Sequence, residues 1–460
     1  MALEQRKLLK IAAILLICSA LYWLIPEEIL PASPRLAFCL IILTIFVWSA
    51  QIIPLGYASL FVLMLFSLLE LAPQEKIFGF LLSPVAYLII SAFILAKAVE
   101  KSGLGKRLAI YLFSPFVRSY PTFIAAIYLL GIVLSLFIPH PFSRSFIMLA
   151  MVKSILDQID VTKEEKISLG LAVFVAGAVN SSVFLTGDMS LNVLSTNFAG
   201  FQITWLEWFV LMGLPSLAFH LLVIALHLII FPDKNKKRFL IKDSVKPNNM
   251  KLSPMEWRTI FWLLLAIILW GTDYWHGIHP GWISVMVVTG LSLPYIGNVV
   301  KIEDFRSVNI DTLIFIAAAI AIGQVGFYTG LNDVLADALF PGSWSTNPWL
   351  VGLLICILGM VMHVIVGSAV TLLSVMVPLA SIYFTSLSFD PLISALIVYL
   401  CAKMQWIFPF QQMDLLIGMG QENGYYSQKH VIRFGAAMII PLTMAMLLFY
   451  IPWWIAIGKF

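Results

Sequence analysis

Arg144, Asp188, Lys403 and Asp414 are ionisable side chains set inside stretches that are otherwise apolar enough to lie in a bilayer. A charge at that depth is costly unless it is paired or hydrated, so each is a candidate for handling a ligand or an ion. Arg144 falls in residues 138–145, IPHPFSRS, beside His140, Ser143 and Ser145. Asp188 falls in residues 177–192, GAVNSSVFLTGDMSLN, with Asn180, Ser181, Ser182, Thr186 and Asn192. Lys403 and Asp414 share residues 403–420, KMQWIFPFQQMDLLIGMG, with Gln411 and Gln412. A fourth polar patch, residues 361–371, VMHVIVGSAVT, holds His363, Ser368 and Thr371. A helix that restarts after a break offers free N–H groups and the positive end of its dipole to an anion. Hydroxyl and amide side chains add neutral donors, whereas unwound carbonyls and carboxylates suit a small hard cation. The four patches contain both kinds of group.

These patches come in pairs because the chain repeats itself. Residues 84–109, PVAYLIISAFILAKAVEKSGLGKRLA, align without a gap on residues 311–336, DTLIFIAAAIAIGQVGFYTGLNDVLA, and Gly103-Leu104 falls on Gly330-Leu331. Each copy is followed by an apolar stretch interrupted by polar residues, and then by a second interrupted stretch. Asp188 and Asp414 fall at matching places in the second of these. Repeats with interrupted hydrophobic segments at matching places point to a secondary transporter with its site at the repeat interface. Residues 121–157 and 348–385 read as re-entrant hairpins, and residues 167–199 and 391–421 as broken spans, because non-helical backbone survives at membrane depth only inside protein or beside a water-filled cavity.

Composition agrees. The 460 residues are 61% hydrophobic and only 11% charged, with mean hydropathy +0.97, which excludes an ordinary soluble domain. The fold expected is an all-α polytopic membrane protein of about 11 spans, built on two inverted repeats. It divides into N-terminal scaffold spans (1–83), a first repeat (84–231), a cytoplasmic loop with linking spans (232–308) and a second repeat (309–460). The N-terminal apolar run reads as an uncleaved signal anchor. Most basic residues, including Lys234, Lys236, Lys237, Arg238, Lys242, Lys246 and Lys251, fall in segments on one side. That places the N-terminus in the cytoplasm and the C-terminus outside, by the positive-inside rule, in what reads as a bacterial inner membrane. The net charge of +4 reflects this placement and calls for no nucleic-acid partner. Cys18, Cys39, Cys356 and Cys401 lie in apolar runs with neither disulfide nor metal spacing, so no cofactor is expected beyond Na+ or H+ as a coupling ion. Trp205, Trp208, Trp453 and Trp454 sit near span ends and read as an interfacial belt. Lys97 is expected to snorkel.

The interrupted segments resemble those of the divalent anion:sodium symporter family, and the likeness runs from about Leu36 to the end. Residues 47–60, VWSAQIIPLGYASL, resemble its W-x-T-E-A-I-P-L segment, with Gln51 where an acid is usual. Residues 91–109 and 422–442 resemble its G-G-F-x-L-A and terminal G-x-Y-x-x-x-D-x-x-R-x-G stretches. The family's two hairpin tips carry Ser-Asn-Thr, which binds substrate carboxylate and helps enclose sodium. Here they read Ser143-Arg144-Ser145 and Ser368-Ala369-Val370, with Thr371 adjacent. The resemblance carries a substrate role to Ser143 and Ser368, extended to Ser145. It also implies an elevator-like motion and a homodimer.

The expectation is a secondary transporter of small organic or inorganic anions, of di- or tricarboxylate or sulfate type. In one reading Arg144 and Lys403 supply fixed positive charge where relatives bind sodium, giving sodium-independent exchange, with Asn180, Ser181, Ser368, Thr371, Gln411 and Gln412 as further substrate contacts. Each cation then pairs with the carboxylate of its own half, or faces the substrate. In a second reading Asp188 and Asp414, with Asn192, His140 and His363, handle sodium or protons. Plainer readings make the charges helix-holding ion pairs, or the chain a non-transporting subunit on a decayed scaffold. No nucleophile, acid–base or metal spacing suggests an enzyme.

Overall fold

The computed structural model describes residues 16–50, 53–105, 107–108, 116–157, 159–233, 251–340 and 345–460. Residues 11–15 of the N-terminal span, Gln51 and the basic cluster from Lys234 to Lys246 lie outside the described residues. The regular elements of the described chain are helices. Among the described residues, eight helices are long and apolar enough to cross a bilayer, and four shorter apolar helices accompany them, Ala32–Trp48, Leu55–Leu68, Pro280–Ser292 and Pro391–Met404.

Local chemistry sets where the helices start and stop. Pro84, Pro141, Pro254, Pro280, Pro348 and Pro391 each stand in a first helical turn. There the missing N–H costs nothing and the fixed φ is already helical. Thr162 with Glu165, and Ser253 with Glu256, form capping boxes that satisfy first-turn amides. The aligned repeat segments end alike. Helix Pro84–Ser102 closes on Gly103 at φ 78°, and helix Ile310–Tyr328 is followed by Gly330 at φ 74°. Glycine takes that left-handed conformation without a side-chain clash.

Two helix pairs are joined by very short turns. Tyr120–Phe137 and Pro141–Leu156 are linked by Ile138, Pro139 and His140; Pro348–Val366 and Ala369–Ser386 are linked by Gly367 and Ser368. Beyond each pair lies an interrupted helix. Lys163–Val179 unwinds through Asn180–Ser182, an extended Phe184 and Leu185–Asp188, then restarts as Met189–Phe198. Pro391–Met404 unwinds through an extended Gln405 and Phe408 and the turn Pro409–Gln411, then restarts as Met413–Ile417.

The two interrupted helices cross. Met189–Phe198 packs on Pro391–Met404, and Met413–Ile417 packs on Lys163–Val179, so the short arm of each lies against the long arm of the other. Around them, Leu55–Leu68 packs on Ile310–Tyr328, and Pro84–Ser102 packs on Pro280–Ser292, which lies against Pro254–Gly271. All four cysteines are buried and free, and the Cys401 thiol donates to the Cys356 carbonyl at 3.3 Å. Lys97 is half-exposed and pairs with Glu100 at 3.0 Å, consistent with a snorkelling side chain.

The tryptophan belt is corrected in part. Trp208 and Trp454 are fully buried, and their indole N–H groups donate to the carbonyls of Ser182 at 3.0 Å and Leu211 at 2.9 Å. Trp453 donates to the Val210 carbonyl at 2.7 Å and is only half-buried, as is Trp205. Proximity to a span end is shared by interfacial and packed indoles, so spacing alone does not separate them.

The crossing is tight enough to forbid a methyl group at Gly170. A Cβ there would stand 1.8 Å from the Gly424 carbonyl oxygen, on the loop after the second break. Gly170→Ala is expected to destabilise the fold by about 1–3 kcal/mol through overpacking against rigid backbone. A thermal melt of the purified variant checks this, and an unchanged midpoint would mean that the loop shifts freely.

Candidate functional site

A break in a membrane helix frees carbonyls and amides that no water can reach, and each has to find an internal partner. At the first break that partner is chiefly Arg144. Its guanidinium is fully buried. Nη1 donates to the carbonyls of Ile138 at 3.1 Å and Gly187 at 2.8 Å, while Nη2 donates to the Gly177 carbonyl at 2.9 Å and Ser181 Oγ at 3.0 Å. The planar fork therefore ties the hairpin tip to both sides of the break, a geometry that a lysine cannot reproduce. Asn192 completes the set, its Nδ2 donating to Ser181 at 2.8 Å, Phe184 at 3.0 Å and Leu185 at 3.2 Å, all backbone carbonyls. Trp208 reaches the same break through Ser182, a contact that the sequence reading missed.

At the second break glutamines do this work. Gln411 Oε1 accepts from the amides of Ile407 and Phe408, both at 2.8 Å, and its Nε2 donates to the His363 carbonyl at 3.0 Å. Gln412 Nε2 donates to the carbonyls of Ala402 at 2.8 Å and Lys403 at 3.1 Å. Both amides are thus committed to backbone. His363 is buried with Nδ1 3.1 Å from the Cys401 carbonyl. Ser368 caps its helix, accepting from Thr371 N at 3.4 Å and Thr371 Oγ1 at 3.0 Å.

The ion pairing is corrected in part. Each cation was expected to pair with its own half's carboxylate or to face substrate. Arg144 takes carbonyls and the Ser181 hydroxyl in place of Asp188, whereas Lys403 keeps its own half's Asp414, with Nζ 3.7 Å from Oδ2, and reaches closer across the repeats, 2.9 Å from Asp188 Oδ2. The crossing explains this. Lys403 ends the long arm on which Met189–Phe198 packs, and Asp188 is the N-cap of that short arm, accepting from Leu191 N at 3.3 Å. Asp414 sits one residue inside its helix, with Gln412 at the cap. The two carboxylates match in the sequence alignment yet hold different places at the helix ends.

The remaining candidates are placed around this core. Ser145 is fully buried and packs where a Cβ on Gly177 would stand 2.1 Å from its Oγ. Asn180 donates to the Tyr128 carbonyl at 3.0 Å. His140 precedes the second helix of the first hairpin and packs between Phe93 and Phe142 at ring distances of 4.9 and 5.0 Å. Ser143 and Ser368, at the two tips, are half-buried, so each tip keeps one hydroxyl within reach of a ligand. Several polar atoms lining the breaks lack hydrogen-bond partners, including Ser145 Oγ, Asn180 Oδ1, Asn192 Oδ1 and Asp414 Oδ1. Buried orphans of this kind mark a place where a ligand, ion or water completes the set.

Arg144 thus occupies three carbonyls at the first tip that a bound cation could otherwise use.

Residues 5–460 match the model of a family described as "Sodium:sulfate symporter transmembrane region". The chain is 29% identical over 291 residues to "Dicarboxylate transporter 1, chloroplastic" of Spinacia oleracea, covering 59% of this chain and 50% of that one. It is 27% identical over 286 residues to a "Citrate/succinate antiporter" of Escherichia coli, covering 58% and 56%. The matched part thus spans about half the length of these two relatives. Among solved structures, that of the Alcanivorax borkumensis YdaH transporter superposes with a TM-score of 0.58 at 16% identity, covering 83% of this chain and 88% of that chain, a likeness of fold.

Removing either cation leaves buried groups uncompensated. Lys403→Met, which strands Asp188 and Asp414, is expected to cost about 3–5 kcal/mol. Restoring neutrality with Asp188→Asn in the same chain should recover part of that loss. Thermal melts of the two single variants and the double variant give the coupling, and strictly additive losses would rule out a working pair.

Proposed function

The chain belongs to the sodium:sulfate symporter transmembrane family, whose members are secondary anion carriers, and on that premise we propose that it moves small anions by sodium-independent exchange. The observation that carries this reading is Arg144. Its guanidinium holds the carbonyls of Ile138, Gly177 and Gly187, the groups that a bound cation would otherwise use to knit the hairpin tip to the break. A permanent cation at that point does the structural work of an ion without depending on the sodium concentration. Ser143 and Ser368, the half-buried hydroxyls at the tips, are then the first contacts for the anion, with the partnerless oxygens of Ser145 and Asn180 beside them. The named relatives transport dicarboxylates, citrate or succinate, which makes a di- or tricarboxylate the first substrate to try.

The same reading makes the protein a homodimer in a bacterial inner membrane, with the N-terminus cytoplasmic and the C-terminus outside. The hairpins and crossed spans move as a unit against the packed scaffold. Support for a moving unit lies in the packing itself, since the hairpins pack chiefly on the broken spans.

Two outcomes test the proposal. Proteoliposomes loaded with succinate or citrate should take up the labelled anion equally well in sodium and in choline, and uptake that needs sodium would overturn the exchange reading. Arg144→Asn restores a short neutral amide at the tip and frees three carbonyls, so sodium, and not choline, should now raise the variant's thermal midpoint. A site at 100 times its dissociation constant gains about 2.7 kcal/mol, which such a melt resolves. Absence of any sodium response would mean that Arg144 does not stand in a cation's place.

A further inference from the structure

Arg144, Lys403, Asp188 and Asp414 form one buried cluster in which two cations balance two carboxylates, so the core as built is electrically neutral. A neutral cluster gives an incoming anion no net attraction in a region poor in water, and the four charges are not equally anchored. Asp188 is held twice, by Lys403 at 2.9 Å and by the Leu191 amide at 3.3 Å. Asp414 is held once and loosely. Its nearest cation is 3.7 Å from Oδ2, and Oδ1 has no hydrogen-bond partner, although only 2% of the residue is exposed. A carboxylate buried with an idle oxygen is the member of such a cluster that gains most from taking a proton.

The groups facing Asp414 are few. Lys403 comes from its own broken span, Asp188 from the opposite break and Arg144 from the first hairpin. Tyr426 stands on the loop beyond the second break, its hydroxyl donating to the Leu415 carbonyl at 2.8 Å. His140, on the first tip, is coupled electrostatically to Asp188. Arg144 is committed to carbonyls, so Lys403 is the one cation of the cluster able to shift between the two carboxylates.

We propose that Asp414 is a proton-carrying site, taking up one proton with each anion and releasing it when the anion leaves. A proton on Asp414 frees Lys403 for Asp188 alone and leaves the cluster with one net positive charge facing the substrate. Deprotonation restores neutrality and removes that attraction. The proton enters as H+ from water on the loading side and leaves as H+ on the other, with no other bond made or broken. This rests on the chain's being an anion carrier, and it is independent of whether sodium is also used.

The test uses the full chain in sodium-free proteoliposomes loaded with unlabelled anion and offered the same anion labelled, succinate, citrate or sulfate, with the pH equal on both sides and set neutral or acid. Sulfate stays fully ionised across the range, which keeps the substrate's own protonation out of the measurement. Because one proton crosses with each anion in both directions, exchange moves no net acid, and its initial rate should rise several-fold when the pH on both sides is lowered together from neutral to acid. In Asp414→Asn the uptake ratio between the two conditions should fall to about one. Where that variant carries too little flux to measure, anion-induced thermal shifts at acid and neutral pH replace uptake, and the acid-side gain of the parent should vanish. An exchange rate that does not rise in acid, or a variant that keeps the parent's pH response in either readout, overturns the proton site and leaves the carrier standing. No exchange of any of the three anions at either pH overturns both.

Discussion

A helix broken inside a bilayer has to satisfy its own backbone, and this requirement organises the centre of the molecule. The carbonyls of Ile138, Gly177 and Gly187 lie in buried residues, and the amides of Ile407 and Phe408 in half-buried ones. Side chains reach them, from Arg144 in one half and Gln411 in the other. Asn192 and Gln412 repeat the arrangement with their amide nitrogens. The conformations of the hairpin tips, the restart of each helix and the positions of the half-buried Ser143 and Ser368 all follow from that satisfied backbone. Polar residues in this protein thus divide into those that hold the breaks and those left with idle atoms.

The two repeats reach similar geometry by different means. In the first, a full positive charge does the knitting; in the second, neutral glutamines do. The balancing positive charge of the second half, Lys403, is directed across the crossing to Asp188. Each half carries one cation and one carboxylate, so the crossing decides which charges meet and not the net balance. Removing Lys403 strands two carboxylates at once, and a buried charge without a partner costs more than the pair itself contributes. The crossing of the broken helices is accordingly an electrostatic joint as well as a packing contact.

That joint also bears on transport. A site must attract an anion strongly enough to load it and weakly enough to release it. A cluster of cancelling charges with one poorly anchored member can change its net charge by a single proton. A cluster in which every carboxylate was doubly held would lack that freedom. The asymmetry between Asp188, at a helix cap, and Asp414, one residue inside its helix, is the structural origin of the difference.

Much of this was legible in the sequence, for definite reasons. Hydropathy marks membrane segments because the bilayer admits no unpaired backbone, and the interruptions within 138–145, 177–192 and 403–420 stand out because prolines, glycines and charges are costly there. The gapless alignment of 84–109 on 311–336 registers real equivalence, down to the left-handed Gly103 and Gly330. Side-chain type along the chain could not say which partner each group would find. Asp188 and Lys403 are 215 residues apart, and only the crossing of the two broken helices brings them to 2.9 Å. The commitment of Gln411, Gln412 and Arg144 to backbone, and the burial of Trp208 and Trp454, were likewise decided by tertiary packing. Sequence determined where the membrane helices must break and which residues gather there, because solvation cost is local. The pairing of those residues was left to the fold, because it depends on how distant helices cross.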